Sequence, residues 1–406
     1  MRVGVLGGGL QGCCIALALA ERGLKVTLFD RNDALLSRTA VANEGKIHLG
    51  YMYAGDATLS TAKTMMTGAF AFAPFFEHHL GRPAQFLAVS DPATYVVHRD
   101  SQHSVEAVFA YLSTVHALIV EYAQTRGGAY FGKKLPAALR RWSAAEIDAE
   151  FDSATALAAF GSPEVAIDPV DLAGRLRQAV AAQPKIEIRC NRNVVAAQQE
   201  DRAVLVVSDG PQGRSRDRFD HVVNALWDGR LALNETAGLH TNRPWLHRLK
   251  YGVSFRLPDN MRAPPSATFI SGPFGEVVSY ADRLTYLTWY PACMQAVSTA
   301  VTPPDWPNYP PEPLRSRVLA ETLRALSDIM PSLRGLDADS LPEARVKGGV
   351  IVAWGETDIY DPHSELHRRY EIGVTSSGRF HSVDPGKLTM APYFAELCAE
   401  RITPAN

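Results

Sequence analysis

Two glycine turns near opposite ends of the chain, a polar loop over residues 43–53 and a few titratable side chains carry the chemistry open to this sequence. In Gly7-Gly8-Gly9-Leu10-Gln11-Gly12, the first glycine permits a tight turn and Gly9 lets backbone N–H groups approach a pyrophosphate. Gly12 lets a helix pack closely on the preceding strand. Asp30 ends the next strand-like run, where its carboxylate can accept hydrogen bonds from a ribose diol. That pattern predicts dinucleotide binding, and by itself it serves NAD as well as FAD. The far end of the chain favours FAD. There Gly386-Lys387-Leu388-Thr389 opens a second helix, for which a nicotinamide has no use. A reduced flavin is anionic over N1 and C2=O, and a helix N-terminus supplies N–H donors and about half a positive charge.

A flavin accepts a hydride from a carbon bearing an amine or a hydroxyl, so the protein must hold that C–H bond in place. Hydroxyl oxidation also needs a base for the O–H proton. His48 is the candidate, since an ordinary imidazole titrates near ~6.5, and His381 in the C-terminal loop is the second. A substrate carboxylate or phosphate calls for a planar guanidinium. Arg345, just ahead of Gly348-Gly349, stands in position by chain order, with Lys46 and Arg379 as alternatives. Tyr51, Tyr53 and Trp289 are expected cavity walls, Tyr53 on the substrate side. No metal is expected: His363 and His367 lack the HExxH order and follow Asp361-Pro362 in what reads as a surface segment. No CxxC pair or Gly-x-Ser-x-Gly elbow occurs in the sequence.

The elements that must position these groups follow from periodicity and punctuation. Arg2–Leu6 and Lys25–Phe29 read as strands around a helix from Cys13 to Arg22. Thr58–His79 predicts a helix disturbed at Pro74, Phe86–His98 strands, and Ser104–Gln124 an amphipathic helix stopped by Gly127-Gly128. Ser143-Ala-Ala-Glu146 is a capping box, and Asp168-Pro169 with Asp171 is a helix start that runs to Pro184. Lys185–Cys190, Val194–Gln199 and Ala203–Ser208 are expected to form an antiparallel meander ahead of a buried strand, Asp220–Ala225. Residues 246–304 are strand-like and aromatic, and Leu314–Ile329 reads as a helix. Arg345–Val352 and Tyr370–Ser376 are further strands, and Gly378–Thr389 is expected to be a loop feeding a helix from Met390 to Ile402.

In Ser37, Asn43, Gly45, Ile47, His48, Gly50 and Tyr53 the chain resembles the D-amino acid oxidase superfamily of FAD-dependent oxidoreductases. The pattern is nearest the L-2-hydroxyglutarate and glycerol-3-phosphate dehydrogenase branches. Gly386-Lys387-Leu388-Thr389 resembles the C-terminal flavin motif of the latter, and the Asp168-Pro169 helix matches the family's return to its flavin domain. The resemblance implies flavin contacts from Arg31, Ser37, Asn43, Glu44, Gly45 and Lys46, from Val194 and Ala225, and from Gly386, Lys387, Leu388 and Thr389. Glu44 and Lys46 depart from the usual pattern, placing charge by the flavin, and Leu226-Trp227 replaces the glycine of the family's Asn-Ala-Gly turn. His48 is in the neighbourhood where some relatives attach FAD covalently.

With 406 residues the chain exceeds one ordinary core. The expected fold is α/β: a discontinuous Rossmann-like FAD-binding domain (residues 1–82, 158–236 and 344–406) and a mixed or antiparallel sheet domain for substrate (83–157 and 237–343). A formal net charge of −2 offers no general field for nucleic acid, and no uninterrupted apolar run reaches the ~18 residues of a membrane span. Five scattered cysteines and a first strand starting at Arg2 point to the cytoplasm. The expected reaction is FAD-dependent oxidation of a C–N bond in a small amino acid or amine. The alternatives are a 2-hydroxy-acid or polyol-phosphate dehydrogenase and a non-redox flavoprotein. The expected partners are a small-molecule substrate and O2 or another electron acceptor.

Overall fold

The computed structural model describes residues 1–83, 87, 90–126, 128–361 and 363–403. Strands and helices are numbered in chain order. One sheet has six strands: β1 (Arg2–Leu6), β2 (Lys25–Phe29), β6 (Ile186–Arg189), β10 (His221–Asn224), β17 (Gly373–Ser377) and β18 (Phe380–Asp384). They run in the order β17-β18-β10-β1-β2-β6 and are parallel except for the β17–β18 pair. Helix α1 (Leu10–Glu21) joins β1 to β2, α5 (Pro169–Ala182) leads into β6, and α9 (Ala391–Ile402) follows the last strand and packs on α1. The strands are short, apolar and buried, as a parallel sheet covered by helices requires. Helix α1 shows ten buried residues from Gln11 to Ala20 because it packs against both β1 and α9.

The second sheet is mostly antiparallel. It comprises β3 (Thr94–His98), β4 (Arg140–Arg141), β5 (Ala156–Gly161), β11 (Trp245–Arg256), β12 (Ala267–Ile270), β13 (Gly275–Ser279), β14 (Leu284–Trp289), β15 (Met294–Ser298) and β16 (Arg345–Trp354). Its backing helix α8 (Leu314–Ile329) spans the expected residues and buries Val318, Leu319, Leu323 and Leu326. Shorter helices α4 (Ala144–Glu150), α6 (Arg230–Thr236) and α7 (Tyr290–Cys293) complete the connections. The capping box on α4 forms, and Asp168 caps α5 by accepting from the N–H groups of Val170 and Asp171.

Several expectations are revised. Residues 186–189 join the parallel sheet beside β2, while the meander is β7 (Asn193–Gln199), β8 (Val204–Gly210) and β9 (Gly213–Phe219). The third strand was hidden because Gly-Arg-Ser-Arg-Asp-Arg is exposed and polar, held by cross-strand charge pairs such as Arg214–Asp209. Residues 158–161 and 345–354, expected to fall in the FAD-binding domain, pair in the antiparallel sheet. Residues 380–384 form a strand where a loop was expected. The strand after residue 86 starts only at Thr94; residues 84–86, 88 and 89 lie outside the described residues, as does Gly127. Helix α2 (Ser60–Leu80) carries Pro74 internally, as expected.

Helix α3 (Val105–Arg126) is long and apolar enough to cross a bilayer by length and composition, a test that a helix packed on a protein core also passes. In the sequence Glu106, His116 and Glu121 interrupt its apolar pattern. In this fold Val108, Leu112, Val115 and Ile119 pack into the core beneath it.

Replacing the cap of α5 tests the local assignment. Asp168→Ala should lower the unfolding free energy by ~1 kcal/mol, read from the urea midpoint at unchanged slope.

Candidate active site

One continuous cavity of about 660 Å³ lies between the two sheets, and both glycine turns border it. At the first turn Gly7 adopts φ +104°, and a side chain on Gly12 would put its Cβ 1.8 Å from the Gly7 carbonyl oxygen. Among the described residues nothing lies within 4 Å of a would-be Cβ on Gly9, so the turn opens onto free space. Helix α1 has no side-chain cap and no acidic residue in its first turn. Helix α9 likewise has neither; it follows a short 3-10 turn over Leu388–Met390. The Gln11 amide donates to the Ala391 carbonyl (3.0 Å), tying the two helix starts together.

Asp30 is buried, accepting from Gly8 N–H (2.9 Å) and from the Asn32 backbone and amide (both 2.8 Å). Arg31 borders the cavity and reaches Asp228 at 3.2 Å. Ser37 Oγ is buried with no hydrogen-bond partner among the described residues. Asn43 braces its own loop, donating to Thr39 O and accepting from Gly45 N–H. Gly45, at φ +69°, lies so close to the Ile167 carbonyl that a Cβ would sit 1.9 Å from its oxygen. The fastening to the C-terminal turn is direct: Thr389 Oγ1 accepts from His48 N–H (2.9 Å) and donates to Lys46 O (3.4 Å).

Gly7, Gly9, Asp30, Arg31, Ser37, Asn43, Glu44, Lys46, His48, Tyr53, Val194, Ala225, Gly386, Lys387 and Leu388 therefore line one cavity. Gly12, Gly45 and Thr389 stand behind it. Trp227 also borders the cavity, in the left-handed conformation (φ 58°) that a glycine would take freely, with its indole donating to Val350 O.

Two expected catalytic residues are not brought in. His381 lies on β18, its ring stacked on His221 at 5.3 Å and bonded to His221 and Ser376. It sits among strands of the parallel sheet, and burial followed by the neighbouring His221 lowers its pKa to about 4. Arg345 is exposed at the start of β16, paired opposite Ser254; Gly349, Val350 and Ile351 further along β16 reach the cavity instead. Arg379 donates to the Asp220 carbonyl and does not line the cavity.

The cavity's charges come largely from residues that sequence reasoning passed over. Arg248 on β11 is fully buried: Nε lies 3.0 Å from Asp358, Nη2 donates to Thr357 O, and Nη1 has no hydrogen-bond partner among the described residues. Tyr290 holds the same Asp358 oxygen at 2.8 Å. Lys250 is two residues from Arg248 on the strand, and both border the cavity; their period-2 spacing was a readable signal. Lys46 pairs with Glu276 at 2.6 Å and also donates to Thr268; burial disfavours its charge, but Glu276 and Glu164 outweigh this and raise its pKa. Burial opposes ionisation of Glu44, yet His48, Lys387 and Lys250 hold its carboxyl well below the usual range. His367, expected on the surface, borders the cavity, where burial and then Arg369 bring its pKa to about 4. Arg369 is buried there too, donating to the Gly386 carbonyl at 3.0 Å.

Residues 2–401 match the family model described as FAD dependent oxidoreductase (DAO), and the chain belongs to that family. Its members use FAD as cofactor, and this chain is an oxidoreductase. Among solved structures it is similar to the L-alpha-glycerophosphate oxidase of Mycoplasma pneumoniae (TM-score 0.66, 18% identity, covering 98% of this chain and 94% of that one). It is also similar to the glycine oxidase of Geobacillus kaustophilus (TM-score 0.67, 14% identity, covering 100% and 95%). Both likenesses concern the fold. The FAD-dependent monooxygenase FPY4 of Fusarium mangiferae is 32% identical over 77 residues; the match covers 19% of this chain and only 20% of that relative's length.

Gly12→Ala should force the first turn open and yield protein largely without flavin, seen as loss of the yellow absorbance of the purified protein. Lys387 supplies a pH test. Burial, then Arg369, lowers its pKa to about 8, so the penalty of its buried charge is fully present below pH 8. That penalty fades as pH rises toward the ordinary ~10.4. Flavin-free Lys387→Met should be more stable than wild type at pH 7, with the gap closing above pH 8 in urea unfolding.

Proposed function

We propose that the protein oxidises the C–N bond of a small amino acid or amine, and that the unpaired Nη1 of Arg248 receives the substrate's carboxylate. Bound FAD supplies the two-electron acceptor for the substrate's hydride. The first glycine turn, Asp30, Arg31, Val194 and Ala225 would hold its nucleotide part. The loop from Ser37 to Lys46, with Gly386 to Thr389, would hold its ring. The uncapped helix starts and the open space at Gly9 support this fit.

The observation that carries the substrate reading is a guanidinium with 1% side-chain exposure, clamped on one edge and unsatisfied on the other. A buried donor without a partner costs ~1–3 kcal/mol, more when charged, and an incoming carboxylate or phosphate would remove that cost. Lys250 and Tyr290 add a second cation and a hydroxyl to the same wall. Phe274, Tyr286 and Tyr53 supply apolar surface that would exclude water. The six-stranded sheet is the proposed FAD-binding part and the nine-stranded sheet the substrate part, with electrons passing to O2 or another acceptor. The cytoplasm is the proposed compartment, in keeping with five unpaired cysteines.

A second reading, oxidation of a 2-hydroxy acid or polyol phosphate, is favoured by His48, which borders the cavity with Glu164 at 3.3 Å and so has the surroundings of a base. The two neighbouring structures, one named a glycine oxidase and one a glycerophosphate oxidase, stand on either side of this choice.

Anaerobic flavin bleaching against a panel of amino acids, amines, hydroxy acids and polyol phosphates separates the readings. Ammonia release with an amino acid is the expected result; bleaching by hydroxy compounds alone would establish the second reading. A yellow protein that none of them bleaches would leave a non-redox flavoprotein. Arg248→Lys keeps the charge but loses the fork, and should raise KM for carboxylate substrates by about 10- to 100-fold with kcat little changed.

A further inference from the structure

We propose that Glu164 is a positioning residue: it holds His48 in the tautomer protonated at Nδ1, leaving Nε2 beside Glu44 as the acceptor for a proton delivered by substrate. This rests on the flavoenzyme reading of the same cavity and names the property its substrate must have, an ionisable hydroxyl or ammonium next to the carbon that is oxidised.

Glu164 has no solvent exposure, and every contact on its carboxylate is a donor. Leu49 N–H donates at 2.6 Å to one oxygen, and Tyr95 OH donates at 2.5 Å to the other, which lies 3.3 Å from His48 Nδ1. Burial works against ionisation, but His48, Lys46 and the Tyr95 hydroxyl outweigh it and lower the pKa. An ionised carboxylate only accepts, so the proton between it and the imidazole belongs to Nδ1. The residue itself is anchored: its N–H donates to Ser162 Oγ and its carbonyl accepts from Ala93 N–H.

The ring's other edge has a different character. Neither ring nitrogen makes a hydrogen bond of full geometry among the described residues, and Nε2 is the more remote from its carboxylate, 3.7 Å from Glu44 Oε1 against 3.3 Å between Nδ1 and Glu164. With Nδ1 protonated, Nε2 and Glu44 are two acceptors side by side on the cavity wall. A group bearing a proton completes them; a carboxylate or carbonyl oxygen does not. The backbone leaves the ring little freedom, since His48 N–H is held by Thr389 and the preceding carbonyl by Tyr130 OH at 2.7 Å. The charged and titratable groups around the imidazole are Glu164, Glu44, Lys46, Tyr53 at 6.1 Å between rings, Tyr95 through Glu164, and Lys387 through Glu44.

The test uses the flavin-loaded protein with labelled histidine, reading the imidazole nitrogens by NMR; the His48 signals are assigned by their loss in His48→Gln. Wild type should show a protonated Nδ1 and an unprotonated Nε2. Glu164→Gln should remove that preference and lower the imidazole pKa, because the carboxylate that favours the imidazolium is gone. With a bleaching substrate, the acid limb of kcat/KM should move to lower pH and kcat should fall by about 10- to 100-fold, with KM little changed. Tyr95→Phe, which frees more of the Glu164 charge toward Nδ1, should shift the imidazole pKa upward; it decides the matter should Glu164→Gln not fold. A wild-type proton on Nε2, or variants that alter only melting temperature and leave tautomer and pH limb in place, would overturn the proposal. Failure of the flavoenzyme reading would show separately, as a wild-type protein that takes up no flavin.

Discussion

The structure depends on two helix N-termini being left without caps so that both open into one cavity. A helix start carries unsatisfied N–H groups and about half a positive charge, and most helices meet this with a serine, threonine or aspartate cap. Here α4 and α5 are capped in that way, while α1 and α9, like α2, α6, α7 and α8, have neither a capping side chain nor an acid in the first turn; α1 and α9 are the two that start at the glycine turns bordering the cavity. Leaving them bare costs stability that an anionic ligand can return. Parallel β1 and β10 at the centre of the sheet, the packing of α1 on α9, and the Gln11–Ala391 hydrogen bond all keep those two ends in register.

Electrostatic balance is the second constraint. The cavity gathers Lys46, Lys250, Arg248, Arg369 and Lys387 against Glu44 and Glu276, with Asp358 behind Arg248 and the buried Glu164 behind His48. Lys46 with Glu276 and Arg248 with Asp358 are close pairs, so desolvation is offset locally and each ion keeps a fixed place. Burial and then Arg369 lower the Lys387 pKa to about 8, so negative charge added at the C-terminal turn would favour its charged form.

The first glycine turn, the Asp168 cap, the 43–53 loop and the C-terminal Gly-Lys-Leu-Thr were legible because each is a local device whose residue types answer a backbone demand. Gly12 and Gly45 could be read in the same way: each sits against a carbonyl that excludes any Cβ. His381 and Arg345 were misplaced for a common reason. Their chain positions lay near the right segments, yet whether a side chain faces the cavity is set by strand register, and a single residue's slip reverses it. His381 fell within a strand of the parallel sheet, and Arg345 at the far end of β16 from the residues that reach the cavity. Glu164 carried no motif at all, being an acid on the turn after β5 that only the folded loop brings to His48.

The sequence by itself determined the dinucleotide turn, the second helix start at the other end of the chain and hence the kind of cofactor, because those are short-range patterns in which glycine and polar residues satisfy backbone geometry. Only the tertiary structure decided which cations face the cavity, that Arg248 keeps a free edge, and that His48 stands between two carboxylates. Those pairings join residues up to hundreds of positions apart, and they exist only once two sheets have closed on each other and water has been excluded from between them.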